Sequence, residues 1–300
     1  MPLLYRLARE QNLPCAEALV VASINDLTQR HGFGAIAGAR PTAFQHFSLR
    51  DDPGGLWVAE EDGSILGFAW SWVCGELWFL AQLFAAPGQQ GRGIGNELLS
   101  RTLAHAKQSG ATQRALITFT FNTVAQGLYL KNGLLPRCPV YMFSVPRERL
   151  RGRVAGPQFD HARLADTALH LRELASIDAQ ALGTSREKHH RYLLKDGSTR
   201  AFGLYEGGDC VGYVYISPEG HIGPLAVARA DALGVAFATA LNMAAEFDSP
   251  KVSAFLPGTA DAALELAAAQ GMRITLPMVL MATPGFGNWT RYLPRNPGFM

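Results

Sequence analysis

The sequence has little of what would assign it at once to several large classes of protein. Its four cysteines are scattered and form no Cys-x-x-Cys pair, which argues against a zinc site and fits a reducing compartment. No basic run reaches five residues, and no apolar run has the length of a membrane span or the setting of a signal peptide. We therefore expect a cytoplasmic protein without a nucleic-acid or membrane partner.

The composition predicts a folded chain with more than one domain. Hydrophobic residues make up 48% of the 300 residues and charged residues only 17%, so a sizeable core can form. This length suggests about two domains. Arg, Gly and Pro cluster between Arg149 and Gln158, and the basic run 147–153 is interrupted by Glu148, as in a solvated linker. We expect domains at 1–148 and 156–300.

A glycine-rich turn between a predicted strand and a predicted helix is the strongest local signal. The apolar run 77–84 predicts a buried strand, and helical spacing from Ile94 onward predicts an amphipathic helix that stops near Gly110. Between them stands Gln90-Gly-Arg-Gly-Ile-Gly95. Glycines at a helix N-terminus build an anion cradle. The spacing fits neither a Walker A loop nor a dinucleotide fingerprint, and a plain tight turn is the alternative.

A second segment of the sequence indicates what kind of site the glycine-rich turn belongs to. Residues 122–134 predict a short helix with Asn122 as N-cap and Gly133 just beyond its end. Together, Gln90-x-x-Gly-x-Gly95 and the later Asn122…Ala…Leu-Tyr129…Gly133 resemble the two signature motifs of the GNAT superfamily of N-acetyltransferases, with Leu134 in place of the usual Phe. The resemblance covers about residues 3–145.

The resemblance implies acetyl-CoA as cofactor. In that family the loop amides hold the pyrophosphate, the preceding strand pairs with the pantetheine arm, and the tyrosine protonates the departing thiolate. Tyr129 packed against the next strand is the alternative for that residue, and Asn122 could serve only as a helix cap. The cofactor-binding residues implied here are Leu83, Phe84, Gln90, Gly91, Arg92, Gly93, Ile94, Gly95, Asn96, Asn122 and Tyr129.

The general base is less evident. An amine must lose a proton before it attacks a thioester, and a histidine or a carboxylate can accept that proton. Residues 78–84 carry no ionisable side chain, and Phe79 stands where some family members have a glutamate. The candidates are Glu76, whose alternative is a surface residue at the strand start, and His46, whose alternative is a histidine packed beside Phe44 and Phe47.

The second half repeats the predicted element order of the first. Aligning Gly271 with Gly133 places Ala260 opposite Asn122 and Ala267 opposite Tyr129, and the corresponding loop at 229–234 has one glycine instead of three. We therefore expect two copies of one fold, of which the second is degenerate and does not hold cofactor in the usual way. This half either shapes the acceptor pocket or only stabilises the first.

Two further segments of the second half carry residues with a candidate role in binding or packing. Arg186 and His189 lie in a polar stretch where Arg186 could grip a carboxylate or phosphate of the acceptor; a solvated helix start with local ion pairs is the alternative. A metal site at His189 and His190 lacks further ligands and is rejected. Residues 284–300 are rich in Pro, Gly and aromatic residues, which predicts that they dock on the protein.

The combined interpretation is a mixed α/β protein with two GNAT-like domains, each a twisted mixed sheet with helices on both faces. The resemblance predicts direct transfer of an acetyl group from acetyl-CoA to a primary amine, preferably of a small molecule, without a metal. An acyl-CoA-binding regulatory or scaffolding protein with little turnover is the alternative. Whether the chain forms a homo-oligomer stays open.

Overall fold

The two halves of the chain have the same order of secondary structure. A computed structural model describes residues 2–150, 154–197 and 199–300. The first half contains β1 (Leu4–Leu7), α1 (Leu13–Arg30), α2 (Ala43–Asp51), β2 (Leu56–Glu61), β3 (Ser64–Cys74), β4 (Leu77–Ala85), α3 (Ile94–Gln108), β5 (Gln113–Phe119), α4 (Thr123–Lys131) and β6 (Leu135–Pro146).

The second half repeats that series. It contains β7 (Asp160–Arg163), α5 (Ala168–Leu182), α6 (Glu187–Asp196), β8 (Arg200–Glu206), β9 (Asp209–Ile216), β10 (His221–Val227), α7 (Leu233–Ala245), β11 (Lys251–Pro257), α8 (Asp261–Ala269) and β12 (Arg273–Ala282), followed by β13 (Tyr292–Leu293). The element order that the sequence predicts for this half is therefore observed.

The helices that follow β5 and β11 show how closely the halves agree. Asn122, which precedes α4, has φ −85° and ψ 67°, and Ala260, which precedes α8, has φ −91° and ψ 59°. Gly133 and Gly271 follow the two helices with φ of 77° and 69°. The backbone therefore supports the alignment inferred from the sequence, with the asparagine replaced by alanine.

The chain divides into two compact units. The first comprises Met1–Leu116 and Phe121–Leu134, and the second comprises Ile117–Thr120 and Leu135–Met300. Strand β6 lies in the second unit because it pairs antiparallel with both β11 and β12, whereas the sequence-based boundary at 148 assigns it to the first domain. Of the expected basic linker, residues 147–150 form a 3-10 helix, and residues 151–153 lie outside the described residues.

The first unit is a mixed sheet with helices on both faces. Its strands follow the order β1 to β5, and only the β4–β5 pair is parallel. Ala69 of β3 shares a core cluster with Ile94 and Leu98 of α3, whereas the next residue, Trp70, packs against Phe44 of α2 with ring centroids 5.2 Å apart. Successive strand residues point to opposite faces, so α3 and α2 cover opposite faces.

The second unit is built around a sheet of its own. Its strands follow the order β12-β6-β11-β10-β9-β8-β7, and β13 adds to β10. The β10–β11 pair is parallel, as β4–β5 is in the first half. Phe237 and Leu241 of α7 are fully buried in a cluster with residues of β9, β10 and β11. Within the described ranges, no helix combines the length and the apolarity needed to cross a bilayer.

Candidate active site

Strand β4 changes its pairing halfway along its length. Leu77–Leu80 are buried and pair with β5. Opposite β3, Leu80 and Gln82 pair with consecutive residues, so Ala81 is an extra residue that forms a β-bulge. In the described residues the pairing with β5 ends at Leu80, and Ala81–Ala85 are only half-buried. This stretch can therefore accept an extended chain as an added strand.

The loop after β4 turns through three glycines that need their conformational freedom. Gly88, Gly91 and Gly93 have φ of 78°, 85° and 80°, a region that costs other L-residues free energy. A Cβ atom built on Gly91 or Gly93 would meet nothing within 4 Å. The loop therefore borders open space, and its glycines are required by backbone conformation rather than by packing.

The first turn of α3 presents free amides to that space. The first helical hydrogen bond runs from the N–H of Glu97 to the carbonyl of Gly93, at 3.1 Å. The amides of Ile94, Gly95 and Asn96 have no intrahelical acceptor, and among described residues no side chain caps them from the N-cap position, which is Gly93. Together with the helix dipole, these amides fit a pyrophosphate.

The side chain of Arg92 holds the loop in place. Its guanidinium donates to the Glu61 carboxylate through Nη1 at 3.0 Å and Nη2 at 2.8 Å, and Nη1 also donates to Gln89 Oε1 at 2.6 Å. Hydrogen bonding from Arg92 lowers the pKa of Glu61. The loop is thereby tied to the β2–β3 hairpin, and the guanidinium of Arg92 is engaged within the protein.

Helix α4 carries Tyr129, which is a buried residue of the first unit. Asn122 caps the helix by accepting a hydrogen bond from the N–H of Ala125 at 3.3 Å, as one of its two readings predicts. Tyr129 is 5% exposed, and burial raises the pKa of its phenol. At neutral pH the hydroxyl is therefore protonated and can act as a hydrogen-bond donor.

Glu76 and His46, the two candidate bases, occupy different positions in the structure. Glu76 lies in the turn that begins β4, where its carboxylate accepts a hydrogen bond from Thr112 Oγ1 at 2.6 Å. The glycine loop follows the other end of β4, roughly 25–30 Å away for a strand of this length. The structure therefore does not bring Glu76 to the loop.

His46 lies on a helix that packs near the bulge. Its neighbour on α2, Phe44, packs against Trp70, and Trp70 pairs with Gln82, the first residue beyond the bulge. The His46 ring has one loose ion-pair contact, with Nδ1 3.9 Å from Glu10 Oε1. Phe44 and Phe47 stack on each other at 5.8 Å. Helix α2 therefore packs near the bulged stretch through Phe44, whereas the His46 ring is placed by its contact with Glu10.

Gln82 is a polar residue that the sequence analysis did not single out. Its carbonyl oxygen Oε1 is buried and has no hydrogen-bond partner among the described residues. A buried amide oxygen without a partner costs about 1–3 kcal/mol, and it lies on the bulged part of β4. Gln82 stands out only because it lies next to the bulge. A bulge arises from the pairing of two strands, so the sequence alone did not point to this residue.

Three aromatic rings stand beside the start of α4. Phe121, immediately before Asn122, stacks on Phe33 and lies against His31, with both centroid distances 4.8 Å. Phe33 is 38% exposed. The cluster forms an apolar surface where the loop after α1 reaches the β5–α4 junction.

Arg186 and His189 are buried inside the second unit. Arg186 is 1% exposed and donates to both carboxylate oxygens of Asp178, through Nε at 3.0 Å and Nη2 at 3.2 Å. His189 is 2% exposed, and its ring centroid lies 5.3 Å from that of Phe299. Arg186 and His189 make their contacts with buried residues of the same unit. Neither the expected contact with a substrate nor the alternative of a solvated helix start therefore fits these two residues. Gly183, with φ 78°, ends α5 before them.

These features define an α/β protein with a strand that opens at a bulge and a glycine loop that presents helix amides to an anion. Residues 21–134 match the sequence profile of the Acetyltransferase (GNAT) family. The first half of the chain therefore contains a GNAT domain, and the resemblance read from the two motifs is confirmed.

Solved structures of other proteins resemble the fold of nearly the whole chain, not of this domain alone. The chain is 17% identical to a proposed acetyltransferase of Pyrococcus horikoshii, with a TM-score of 0.77 over 99% of this chain and 96% of the other. A tandem GNAT protein from the clavulanic acid biosynthesis pathway has a TM-score of 0.60 at 16% identity, over 94% of this chain and 98% of the other. Both likenesses concern the fold.

A curated relative is more similar over a shorter stretch. The mycothiol acetyltransferase of Streptomyces avermitilis is 33% identical over 87 residues, which are 27% of each chain. The match thus spans only about a quarter of the curated relative's length.

Proposed function

We propose that the chain is an N-acetyltransferase whose first half binds acetyl-CoA and transfers the acetyl group directly to an amine. The observation that carries this proposal is the continuous unit of bulged strand, glycine loop and uncapped helix start at residues 77–96. The loop amides suit a pyrophosphate, and the open stretch of β4 suits the amide groups of a pantetheine arm.

The reaction forms a C–N bond between the amine and the acetyl carbonyl carbon and breaks the C–S bond of the thioester. The amine proton passes to a base, and the developing negative charge passes first to the carbonyl oxygen and then to sulfur. Main-chain N–H groups of bulged β4 are suited to the carbonyl oxygen. Tyr129, held protonated by burial, is suited to donate to the sulfur.

The base we assign is His46, because its helix α2 packs through Phe44 on Trp70, the β3 residue that pairs with Gln82, and its ion-pair contact with Glu10 is loose. An imidazole accepts a proton near neutral pH. Glu76 has no part in this proposal, since it begins the strand whose other end leads into the loop.

The acceptor we propose is a small-molecule amine. The buried Oε1 of Gln82 has no described partner and is suited to accept a hydrogen bond from an ammonium or amine N–H. The match to mycothiol acetyltransferase, whose name specifies a small-molecule acceptor, also favours this class. The rings of Phe33 and Phe121 offer an apolar surface to the rest of such a molecule.

Calorimetric titration with acetyl-CoA tests the proposal. We expect about one site per chain and no detectable binding to Gly93→Glu, because the substitution places bulk and negative charge at the start of α3. Gly110→Glu, at the other end of α3 and also at positive φ, is the matched control and should bind normally. Absence of binding to the wild type would refute the proposal. Binding without turnover on any amine would favour the regulatory alternative.

A further inference from the structure

The second half has a cleft that corresponds to the open edge of β4. Among the described residues, strand β10 pairs parallel with β11 at His221 and Ile222 and no further. Opposite β9 the register then shifts between Ile222 and Leu225, as it shifts at Ala81 of β4. Beyond this irregularity β10 leaves β11, so both halves have a parallel pair that opens after a few residues.

In the second half this opening is filled by residues of the same chain. Strand β13 pairs antiparallel with β10, with Leu293 opposite Leu225 and Tyr292 opposite Ala226. The N–H of Val227 donates to the carbonyl of Arg291 at 3.0 Å. Tyr292 and Leu293 are fully buried. An extended peptide thus forms the main-chain bonds that the open edge of β4 leaves available.

The backbone of the occupant approaches β10 very closely. A Cβ atom on Gly223 would lie 2.8 Å from the carbonyl oxygen of Pro294 and 2.9 Å from Cα of Arg295. The His221 ring contacts the same stretch, with Nε2 2.6 Å from the carbonyl oxygen of Arg295. Only glycine permits this approach at φ 143°.

Buried side chains fix the remainder of the segment. Arg186, held by Asp178, donates through Nη1 to the carbonyl oxygen of Met300 at 3.0 Å, and its guanidinium lies 5.1 Å from the ring centroid of Tyr292. His189 packs on Phe299. The residues that the sequence suggested for an acceptor therefore bind residues 284–300.

The loop that follows β10 lacks the cradle of the first half. It runs from Ala228 to Ala232, and no described residue in it has positive φ. The ion pair that anchors the loop is nevertheless retained, because Arg229 Nη2 lies 2.7 Å from Glu206 Oε2, and Arg92 Nη2 lies 2.8 Å from Glu61 Oε1. The second loop therefore keeps the ion pair but not the glycine conformations of the first loop.

We propose that the cleft between β10 and β11 is a strand-binding site for an extended peptide, occupied permanently by residues 284–300, and that this half is thereby closed to acyl-CoA. The segment takes the place that a pantetheine arm takes in the proposed function of the first half. The likeness of the two clefts rests on that proposed function, whereas the occupancy of the second cleft rests on its own contacts.

Hydrogen exchange on the full chain, read by mass spectrometry with and without acetyl-CoA, tests this proposal. In the free protein, amides at 225–227 and 291–293 should exchange at least tenfold more slowly than those of the exposed loop 87–93. Acetyl-CoA should slow exchange at 82–96 and leave 221–235 unchanged. Slowing at 225–235, or fast exchange at 225–227 in the free protein, would overturn the proposal.

Substitution of Gly223 provides the second arm. Gly223→Ala should speed exchange at 225–227 and 291–293 about tenfold or more, because the new methyl group collides with the segment's backbone. Gly208→Ala, which also has positive φ but no atom within 4 Å of the added methyl, should leave both regions unchanged. Equal effects of the two variants would contradict a segment seated on Gly223. If acetyl-CoA slows exchange nowhere, the proposed function fails, while protection at 225–227 still decides the occupancy.

Discussion

Substitution of Gly93 by alanine isolates the conformational requirement of the loop. The added methyl group meets no atom within 4 Å, so packing is unaffected, but φ is 80°. Holding an alanine in the left-handed region costs about 1–2 kcal/mol. Residues 90–93 are exposed, so the backbone at an alanine can leave this conformation while Arg92 stays bound to Glu61, and the cost then falls on binding.

The expected result is a Kd for acetyl-CoA that is roughly 5–30-fold weaker than that of the wild type, which is the same free energy expressed as an equilibrium ratio. Calorimetric titration measures it. Gly110→Ala is the matched control, since Gly110 has φ 72° and equally open surroundings but ends α3 instead of beginning it. Unchanged affinity in Gly93→Ala, or an equal loss in Gly110→Ala, would refute the cradle as the anion site.

Four further predictions concern the reaction and the second unit. Tyr129→Phe should lower kcat about 100-fold and change the Kd for acetyl-CoA less than twofold; equal losses in both would contradict a role at the leaving sulfur. Gln82→Leu should raise KM for the amine about tenfold or more without lowering the Tm, because it removes an unpaired buried oxygen; a lower Tm with unchanged KM would argue for a structural role. His46→Ala should lower kcat/KM and remove the acid limb of its pH profile, and an unchanged profile would exclude His46 as the base. Burial holds the pKa of His189 well below its usual value, so below about pH 6.5 the unfolded chain binds a proton that the folded chain does not. The free energy of unfolding should therefore fall by up to about 1.4 kcal/mol per pH unit as the pH is lowered. His189→Gln should reduce the accompanying fall in Tm, and an unchanged slope of Tm against pH would contradict this prediction.

The local signals in the sequence predicted the strand, loop and helix of the candidate site. A buried apolar run, a glycine cluster and helical spacing are each set by neighbouring residues, and β4 and α3 appear where these patterns place them. The duplication was also predictable, because the order of predicted strands and helices in the first half repeats in the second.

Features that depend on partners distant in sequence were not predictable. The bulge at Ala81 exists only in the register between β3 and β4, and neither strand carries a residue that marks it. For the same reason β6 could not be assigned to the second unit, since its partners β11 and β12 lie more than 100 residues later. Arg186 looked available to a ligand because Tyr213 and the segment at Met300, which bind it beside Asp178, come from other parts of the chain.

The two halves show how one fold can be open or closed at the same place. Each has a parallel strand pair that opens beyond an irregularity, and each has an arginine that ties the following loop to a hairpin. Three glycines at positive φ keep the first loop ready for an anion, whereas β13 completes the second cleft. Because an open edge leaves main-chain groups unpaired, a half without a bound cofactor gains stability when a peptide strand covers that edge. On this argument, residues 284–300 satisfy the same hydrogen-bonding requirement in the second half that we propose acetyl-CoA satisfies in the first.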